Sequence, residues 1–481
     1  MSEGVLEGRA RLELEDADLA ARALEVLEAN WLGHGTRPSR LYPHQWSWDS
    51  ACIAMGYASW NQARAETELR SLFAGQWANG LLPHIVFAQG DGRYFPGPEF
   101  WQAERSGEAP ADVKTSGIVQ PPIHAIAALR LYRQSADRER ATAFLAELAP
   151  KLRAWHEYLY RERTRSEDGL VEIWHPWESG MDNSPLWDDA LARIDPAAAE
   201  IPAYRRVDLE LAKPSERPTD GEYDRYVYLV GLFRELDYRS DRIRDESPFA
   251  MQSVLFNALL VQANRDLAEI ARVLGDDPGR FESWAERTAA GLEAKLWMKD
   301  DALYVDYDVK AGRHVHARCA AGLAPLAAGV PSDERAQRMV ERLADSRVGV
   351  GESHWVVTSL APDDPGFLRT RYWRGPVWPI LNWVLQRGLD RYGLPILAAQ
   401  VRRGLIELSG RSGFREHYDP ITGVGHGGEN FAWTAGLVLD MLATEIESTE
   451  IEVEKKETPM GEAEIAGVVG GRHTGNDERR E

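Results

Sequence analysis

The sequence predicts an all-α fold, and three features of the chain lead to this prediction. Apolar residues recur at three- and four-residue spacing in about a dozen segments. These segments follow one another as pairs that are separated by aromatic-rich loops. Only residues 302–316 carry the alternation of a strand pair. A succession of helical pairs predicts a closed ring of helical hairpins in which one rim of loops carries the function.

The predicted helices combine an apolar stripe with a capping residue at the start of the helix. Asp49, Asn61 and Ser332 stand where a side-chain oxygen can cap the first turn of a helix. In the strand pair, the turn at residues 310–312 predicts one β-hairpin. The predicted helices cover residues 18–30, 49–59, 62–74, 122–134, 137–149, 150–161, 248–274, 280–296, 334–344, 377–389, 395–408 and 430–443.

Two stretches, residues 88–116 and 190–222, interrupt the helical pattern with prolines and glycines. Long irregular excursions within a compact domain often act as lids, so we expect both to be cap insertions. They belong to one folded domain, which we expect to cover residues 1–447. Residues 448–481 are rich in Glu, Lys and Gly and contain no aromatic residue, so we predict a disordered acidic tail.

Composition excludes several classes of partner. The chain has 481 residues, of which 44% are hydrophobic, so it can bury a large core. Its net charge of -20 at pH 7 repels nucleic acid and anionic membranes at long range. The chain has no apolar run of membrane length and no recognisable signal peptide. We therefore expect a cytoplasmic protein with a small-molecule partner, and the oligomeric state stays open.

Cofactors and metals are not predicted. Cys52 and Cys319 are too few for a disulfide framework and lack zinc-ligand spacing, so we expect both in the core. The glycine-rich residues 423–428 follow no predicted strand and do not fit the GxGxxG pattern of a nucleotide site.

Two clusters of carboxylates and aromatic rings indicate sugar chemistry. Residues 174–183 (WHPWESGMDN) place Glu178 and Asp182 among tryptophans, and residues 414–420 (FREHYDP) surround Glu416 with Arg, His and Tyr. Aromatic faces stack on pyranose rings, while a pair of carboxyl groups can cleave a glycosidic bond. These clusters predict a sugar-cleaving site.

Further clusters lie elsewhere in the chain. In residues 42–49 (YPHQWSWD), Asp49 can act both as a helix cap and as an acceptor for sugar hydroxyls. Residues 371–378 (RYWRGPVW) fit either a sugar-contacting wall or a well-packed helix start. His84 can be either structural or a ligand, and Gln120 lies at the rim of a predicted helix.

Spacing alone does not identify the working pair of carboxylates. A hydrolytic pair must face each other across the bond that is cleaved, and several carboxylates lie in aromatic or glycine-rich loops. These candidates are Asp49, Glu178, Asp182, Glu352, Glu416, Asp419 and Glu429.

Six strings of residues carry a resemblance to a known family. They are YPHQWSWD at 42–49, QPP at 120–122, WESGMDNS at 177–184, RPTDGEY at 217–223, YWRGPVW at 372–378 and EHYDP at 416–420. With them the chain resembles glycoside hydrolase family 63, and within it the bacterial mannosylglycerate and glucosylglycerate hydrolases. The strings span nearly all of the predicted folded chain.

The resemblance implies an (α/α)6 barrel with an inserted cap and hydrolysis of an α-glycosidic bond with inversion. By position, Asp182 is the expected general acid and Glu416 the expected general base, about 6.5–9.5 Å apart. Gln120, Arg217 and Tyr223 are expected to face the leaving group, where Arg217 can grip a glycerate carboxylate. The expected substrate-binding residues are Tyr42, Trp46, Trp48, Asp49, His84, Tyr94, Gln120, Trp177, Gly180, Arg217, Tyr223, Tyr372, Trp373 and Trp378.

The proposed roles also require that Asp182 is protonated and that Glu416 is ionised. The rings of Trp174 and Trp177 are expected to desolvate the acid at position 182 and keep it protonated. Arg415 or His417 would help the base stay ionised if either points inward.

The expected reaction converts mannosylglycerate or glucosylglycerate to hexose and glycerate, with the choice of hexose open. One alternative is an α-glucosidase or trehalase-like hydrolase of neutral oligosaccharides. A second alternative is a helical protein that binds sugar without cleaving it. Loss of turnover on Asp182→Asn separates an enzyme from a binding protein.

Overall fold

A computed structural model describes residues 3–88, 94–164, 167–198 and 201–457. The chain is mainly helical over these residues, as predicted. The helices are α1 (Glu3–Ala29), α2 (Ser47–Ala58), α3 (Gln62–Ala74), α4 (Pro98–Trp101), α5 (His124–Gln134), α6 (Arg138–Glu162), α7 (Asp188–Leu191), α8 (Asp208–Leu211), α9 (Asp220–Glu235), α10 (Ser240–Glu246), α11 (Val254–Leu274), α12 (Gly279–Gly291), α13 (Ala324–Ala327), α14 (Asp333–Arg342), α15 (Pro379–Arg391), α16 (Pro395–Ser412) and α17 (Ala432–Glu457).

Six of these helices form a closed inner ring. Neighbours pack in the order α2, α5, α11, α13 and α15. The indole of Trp383 in α15 donates to Asp440 of α17 at 2.9 Å. Gly56 of α2 meets Gly436 of α17 so closely that a Cβ on Gly56 would lie 2.3 Å from the Gly436 Cα. With α1, α3, α6, α12, α14 and α16 outside this ring, the fold is the expected (α/α)6 barrel.

Local sequence signals explain many of the helix bounds. Helix α3 has the predicted bounds, and Asn61 caps it by accepting from the Arg64 N–H at 3.2 Å. Ser332 caps α14 in the same way through the Arg335 N–H. Every residue of α2 is buried, which fits its place in the inner ring.

The prediction that Asp49 caps a helix is wrong. Helix α2 begins two residues earlier, at Ser47, with Trp46 at the N-cap position. Its first turn is satisfied from elsewhere, because the Ser47 N–H donates to the His84 carbonyl and the Trp48 N–H donates to Gln120 Oε1. The carboxylate at position 49 is therefore not needed as a cap.

One other prediction about helices is also wrong, and one long helix was missed. Pro150 does not divide a helix, because α6 runs through it and buries Leu148, Ala149 and Leu152 on both sides of the proline. Helix α9 was not predicted, although Thr219 and Glu222 form the capping box that marks its start.

Short strand pairs are more numerous than the single hairpin predicted. The predicted hairpin is present as β6 and β7, which pair Tyr307 with His314 and Asp308 with Arg313. The other antiparallel pairs are β1–β2, β3–β6, β4–β5, β8–β9 and β10–β11. The strands are β1 (Gln45–Trp46), β2 (Ile85–Val86), β3 (Met251–Gln252), β4 (Trp297–Met298), β5 (Leu303–Tyr304), β6 (Tyr307–Asp308), β7 (Arg313–His314), β8 (Arg347–Val350), β9 (His354–Val357), β10 (Arg415–Tyr418) and β11 (Gly425–Glu429).

The described parts of the two irregular segments contact each other. Phe95 of the first segment stacks on Tyr204 of the second, with ring centroids 4.7 Å apart. The hydroxyl of Tyr223, just after the second segment, donates to the Phe95 carbonyl at 2.8 Å. Both cysteines are buried, as predicted.

The chain divides into a compact unit of residues 1–440 and a C-terminal unit of residues 441–481. Helix α17 extends to Glu457, and residues 458–481 of the predicted tail lie outside the described residues. In the described part of the chain, no helix combines the length and apolar character needed to cross a membrane.

Candidate active site

Two adjoining cavities collect both expected catalytic residues and all fourteen expected substrate-binding residues. The larger cavity contains Glu416 in its wall, and the smaller one contains Arg217. They share Tyr42, Tyr94, Trp177 and Asp182. The larger cavity is also lined by Trp46, Trp48, Asp49, His84, Gln120, Gly180, Tyr372, Trp373, Trp378 and Glu416, and the smaller one by Arg217 and Tyr223.

Asp182 reaches the cavity from a loop that turns sharply at Gly180. Gly180 has φ +73°, and a Cβ at this position would lie 2.6 Å from the ring of Trp48. A side chain is therefore excluded both by backbone conformation and by the indole. The glycine lets the loop pass close to α2 and carries Asp182 to the cavity wall.

Glu178, four residues before Asp182, stabilises this loop through both of its carboxylate oxygens. Arg163 donates to both of its carboxylate oxygens at 2.9 Å. The backbone N–H groups of Val119 and Trp174 donate to it as well. The ion pair is buried, so Glu178 anchors the loop and is not one of the two carboxylates that line the larger cavity beside Asp182.

The surroundings of Asp182 favour its protonated form. Burial raises the pKa of this carboxyl to about 7, and the negative charge of Glu416 acts in the same direction. The positive charge of Arg217 and a hydrogen bond with the Tyr372 side chain oppose the rise. A carboxyl group with a pKa near 7 can donate a proton at neutral pH.

Glu416 lies on strand β10 rather than in a loop, and donors contact both of its carboxylate oxygens. Its Oε1 accepts from the Tyr42 hydroxyl at 2.7 Å and from Arg217 Nη1 at 3.4 Å. Its Oε2 accepts from the Gly428 N–H on β11 at 2.9 Å. These donors and the arginine charge stabilise a carboxylate in a buried place.

Asp49 is the third carboxylate in the larger cavity. Burial raises its pKa well above the usual range, and the charges of Glu416 and Asp182 add to this effect. Its neighbours in α2 and β1 are the rings of Trp46 and Trp48, which also line the cavity. This arrangement combines a polar acceptor with apolar faces, which is how proteins hold a sugar ring.

The cavity walls are mostly aromatic. Trp373 and Trp378 stack with ring centroids 3.5 Å apart, and the Trp378 indole donates to the Tyr372 carbonyl at 2.9 Å. Tyr372 itself has φ +35°, a strained conformation for a bulky residue and one that proteins keep mainly at functional sites. Phe431 and Trp433 complete the wall and were missed, although both lie within five residues of the glycine-rich residues 423–428.

Arg217 stands between the two cavities. Its Nε donates to Asp208 at 3.1 Å, and its guanidinium lies over the ring of Tyr372, 4.2 Å from the centroid. None of the described residues accepts from its Nη2. Asp208 also lines the smaller cavity and was missed, because only the fold brings it to Arg217.

Gln120 does not share a cavity with Arg217 and Tyr223. It lines the larger cavity, where its Oε1 accepts from the Trp48 N–H at 3.2 Å. His84 lines the same cavity, its Nδ1 is 2.7 Å from Ser116 Oγ, and burial holds its pKa well below the usual range.

One expectation about neighbouring groups is wrong, and the condition set for Arg415 is not met. Trp174 is buried away from the cavity, with Arg163 3.9 Å over its ring, so only Trp177 of the two tryptophans lines the wall. Arg415 does not point inward, because it pairs with the exposed carboxylate of Glu429 at 2.6 Å.

The remaining carboxylate candidates lie elsewhere. Glu352 and Glu429 are exposed, and Asp419 is held by Arg369 and by the N–H groups of Ile421 and Thr422. Among the described residues, no three His, Cys, Asp or Glu side chains form a metal-binding group.

Comparisons with known proteins agree with this arrangement. Residues 42–434 match a family described as the mannosylglycerate hydrolase MGH1-like glycoside hydrolase domain. A mannosylglycerate hydrolase of Rubrobacter radiotolerans is 47% identical over 427 residues, which cover 88% of this chain and 97% of that protein. A glucosylglycerate hydrolase of Mycolicibacterium hassiacum is 38% identical over 441 residues, covering 88% and 97%.

Solved structures agree as well. The crystal structure of GH63 mannosylglycerate hydrolase from Thermus thermophilus in complex with Tris and D-glycerate is similar to this chain with a TM-score of 0.82. The two sequences are 43% identical, and the similarity covers 88% of this chain and 99% of that one.

Proposed function

The chain belongs to the family of MGH1-like glycoside hydrolases, and from that premise we propose that it hydrolyses mannosylglycerate or glucosylglycerate to hexose and glycerate. The observation that carries this proposal is the cavity pair. Three carboxylates and several aromatic rings line the larger cavity. The buried Arg217, whose Nη2 has no described acceptor, lines the smaller one. A sugar ring suits the first environment and a small anionic leaving group suits the second.

In the proposed reaction, Asp182 donates its proton to the glycosidic oxygen as the bond to the anomeric carbon breaks. It lines both cavities, which is the position that a proton donor between sugar and leaving group requires. Its pKa of about 7 keeps a large share of the enzyme protonated at neutral pH. The leaving glycerate carries this proton away on its hydroxyl.

Glu416 acts in the proposal as the general base. It takes a proton from a water molecule, whose oxygen attacks the anomeric carbon opposite the leaving group. The water becomes the anomeric hydroxyl of the product, so the configuration inverts from α to β. The Tyr42 hydroxyl and the Gly428 N–H hold the base in one orientation.

The leaving group is held in the proposal by Arg217. A carboxylate can accept from Nη2, which points to no described acceptor, while Asp208 and Glu416 fix the rest of the guanidinium. Tyr94 and Tyr223 line the same cavity. We also propose that residues 88–116 and 190–222 act as a cap, because Phe95, Val207 and Arg217 all line the smaller cavity.

A product assay on pure protein tests the proposal. The panel contains mannosylglycerate, glucosylglycerate, trehalose and maltose, and proton NMR follows the first sugar anomer released. We expect turnover of at least one glycosyl-glycerate with the β anomer appearing first. An initial α anomer would contradict inversion, and turnover confined to the neutral disaccharides would favour an α-glucosidase or trehalase-like enzyme.

A further inference from the structure

A largely buried hydrogen bond between two side chains outside both cavities joins the second irregular segment to the β10–β11 hairpin. His426 Nδ1 lies 2.7 Å from Glu216 Oε1. The Gly427 N–H donates to the other oxygen of Glu216 at 3.2 Å. The side chains of Glu216 and His426 are 6% and 11% exposed, so the pair is shielded from solvent. Because a carboxylate only accepts, Nδ1 must carry the hydrogen in this contact.

The same strand holds Glu416. On β11, Gly427 donates to Glu216 and the next residue, Gly428, donates to Glu416. Gly427 has φ +67°, and a Cβ on it would lie 2.3 Å from Glu416 Oε2. Two consecutive N–H groups of one strand therefore fix two carboxylates that come from distant parts of the chain.

Glu216 and Arg217 are adjacent in sequence, and this closes a ring of contacts. Arg217 touches Glu416 Oε1, Glu416 Oε2 is held by Gly428, and β11 holds Glu216 through Gly427 and His426. The pair has three other neighbours: Lys213 Nζ is 3.5 Å from Glu216, the His426 Nε2 is 4.0 Å from Asp419, and the His417 ring stacks on that of His426 with centroids 5.9 Å apart. A shift of Glu216 would thus move Arg217 relative to Glu416.

We propose that Glu216 and His426 are positioning residues whose contact sets the Arg217 guanidinium for the carboxylate of the leaving group. This inference rests on the proposed function, because it assigns that carboxylate to Arg217. The pair touches neither the sugar nor the reacting atoms. It fixes the distance between the arginine and the hairpin that carries Glu416.

The test compares substrates with and without a leaving-group carboxylate. For His426→Ala and Glu216→Ala, kcat/KM on the glycosyl-glycerate falls about tenfold, mainly through KM, and inhibition by D-glycerate weakens to a similar extent. On α-mannosyl or α-glucosyl fluoride, which lacks the carboxylate, kcat/KM stays within about twofold. Equal losses on both substrates would overturn the inference, because a general structural role predicts them.

Three further variants sharpen this test. His426→Asn keeps an N–H donor near the Nδ1 position and is expected to stay within about threefold of the wild type. The double variant Glu216→Ala with His426→Ala should lose no more than either single variant, whereas multiplied losses would show that the two residues act separately. His354→Ala removes a similar contact, in which Nδ1 of His354 on β9 lies 3.0 Å from Glu407 of α16, and should leave kcat/KM on both substrates unchanged.

The failure of this inference and of the proposed function are distinguishable. If the wild type turns over no glycosyl-glycerate, the proposed function is wrong. If the wild type is active and His426→Ala and Glu216→Ala match it on every substrate, only the positioning role is wrong. If His426→Ala does not fold, Glu216→Ala and His426→Asn still decide the question.

Discussion

The two sides of the candidate site each carry a pair of carboxylates, and each side uses its pair in the same way. On the loop of residues 174–183, Glu178 is bound by Arg163 and Asp182 lines the cavity. On the β10–β11 hairpin, Asp419 is bound by Arg369 and Glu416 lines the cavity. In both places one carboxylate holds the backbone and the other is left for chemistry.

The electrostatic outcome differs between the two sides. The loop places Asp182 where burial raises its pKa to about 7. The hairpin gives Glu416 a tyrosine hydroxyl, a backbone N–H and an arginine. Because both groups are carboxylic acids that line the same cavity, the proposed roles of acid and base depend on the burial of each group and on the donors around it.

The largest expected effect comes from neutralising either group. Asp182→Asn and Glu416→Gln should each lower kcat on the glycosyl-glycerate by on the order of 10²–10⁴. On an α-glycosyl fluoride, whose leaving group needs no proton, Asp182→Asn should regain most of its rate and Glu416→Gln should not. Steady-state assays on both substrates check the assignment, and the opposite pattern would exchange the two roles.

The next effect concerns the anchoring carboxylates. Arg163→Met leaves Glu178 buried without its ion pair and should reduce the free energy of unfolding by about 3–5 kcal/mol. Its matched control is Arg369→Met on the hairpin side, where the arginine is 44% exposed and the expected loss is much smaller. Urea denaturation measures both variants, and equal losses would remove the contrast between the two anchors.

The pH dependence of the rate tests the acid side. Because the proton donor must be protonated, kcat/KM should fall about tenfold per pH unit above the Asp182 pKa of about 7, and titration of this group should cause no fall below it. The same limb should be absent for the wild type acting on an α-glycosyl fluoride. A limb that persists with the fluoride would assign the titration to another group.

The smallest expected effect tests whether a carboxyl group can have a raised pKa without a catalytic role. Burial also raises the pKa of Asp306 to about 7, although it lines neither cavity, and only the Val254 N–H opposes this. Since the folded pKa exceeds the unfolded value of about 3.9, stability falls as pH rises between the two and is constant above. Asp306→Asn removes the ionisable group, and with it this loss of stability.

The free energy of unfolding of the Asp306→Asn variant should therefore exceed that of the wild type. The difference should widen by on the order of 2 kcal/mol from pH 5 to pH 7. Urea denaturation at the two pH values measures the margin, and kcat should not change. A constant margin would show that Asp306 does not take up a proton on folding.

Much of the fold follows from the sequence, because helix periodicity and caps are local. Helix α3 has the expected bounds, and the capping box at Thr219 and Glu222 would have revealed α9. Strand β11 could not be anticipated from its glycine-rich residues, since its order comes from pairing with β10.

The site was predicted less completely. The aromatic clusters identified the cavity walls, yet spacing does not distinguish Glu178 from Asp182. They differ because Arg163, 15 residues before Glu178, returns to one of them and not to the other. Asp208 became visible only through its contact with Arg217. Contacts between distant segments are the part that local pattern does not contain.

The close contact of Gly56 with Gly436 has a consequence for how the enzyme matures. It brings the first inner helix against the last, so the hydrogen bond from Tyr42 to Glu416 spans 374 residues. A ribosome must therefore release nearly the whole chain before any catalytic centre exists. Incomplete translation products therefore lack this contact, and the complete site forms only once the last inner helix has packed against the first.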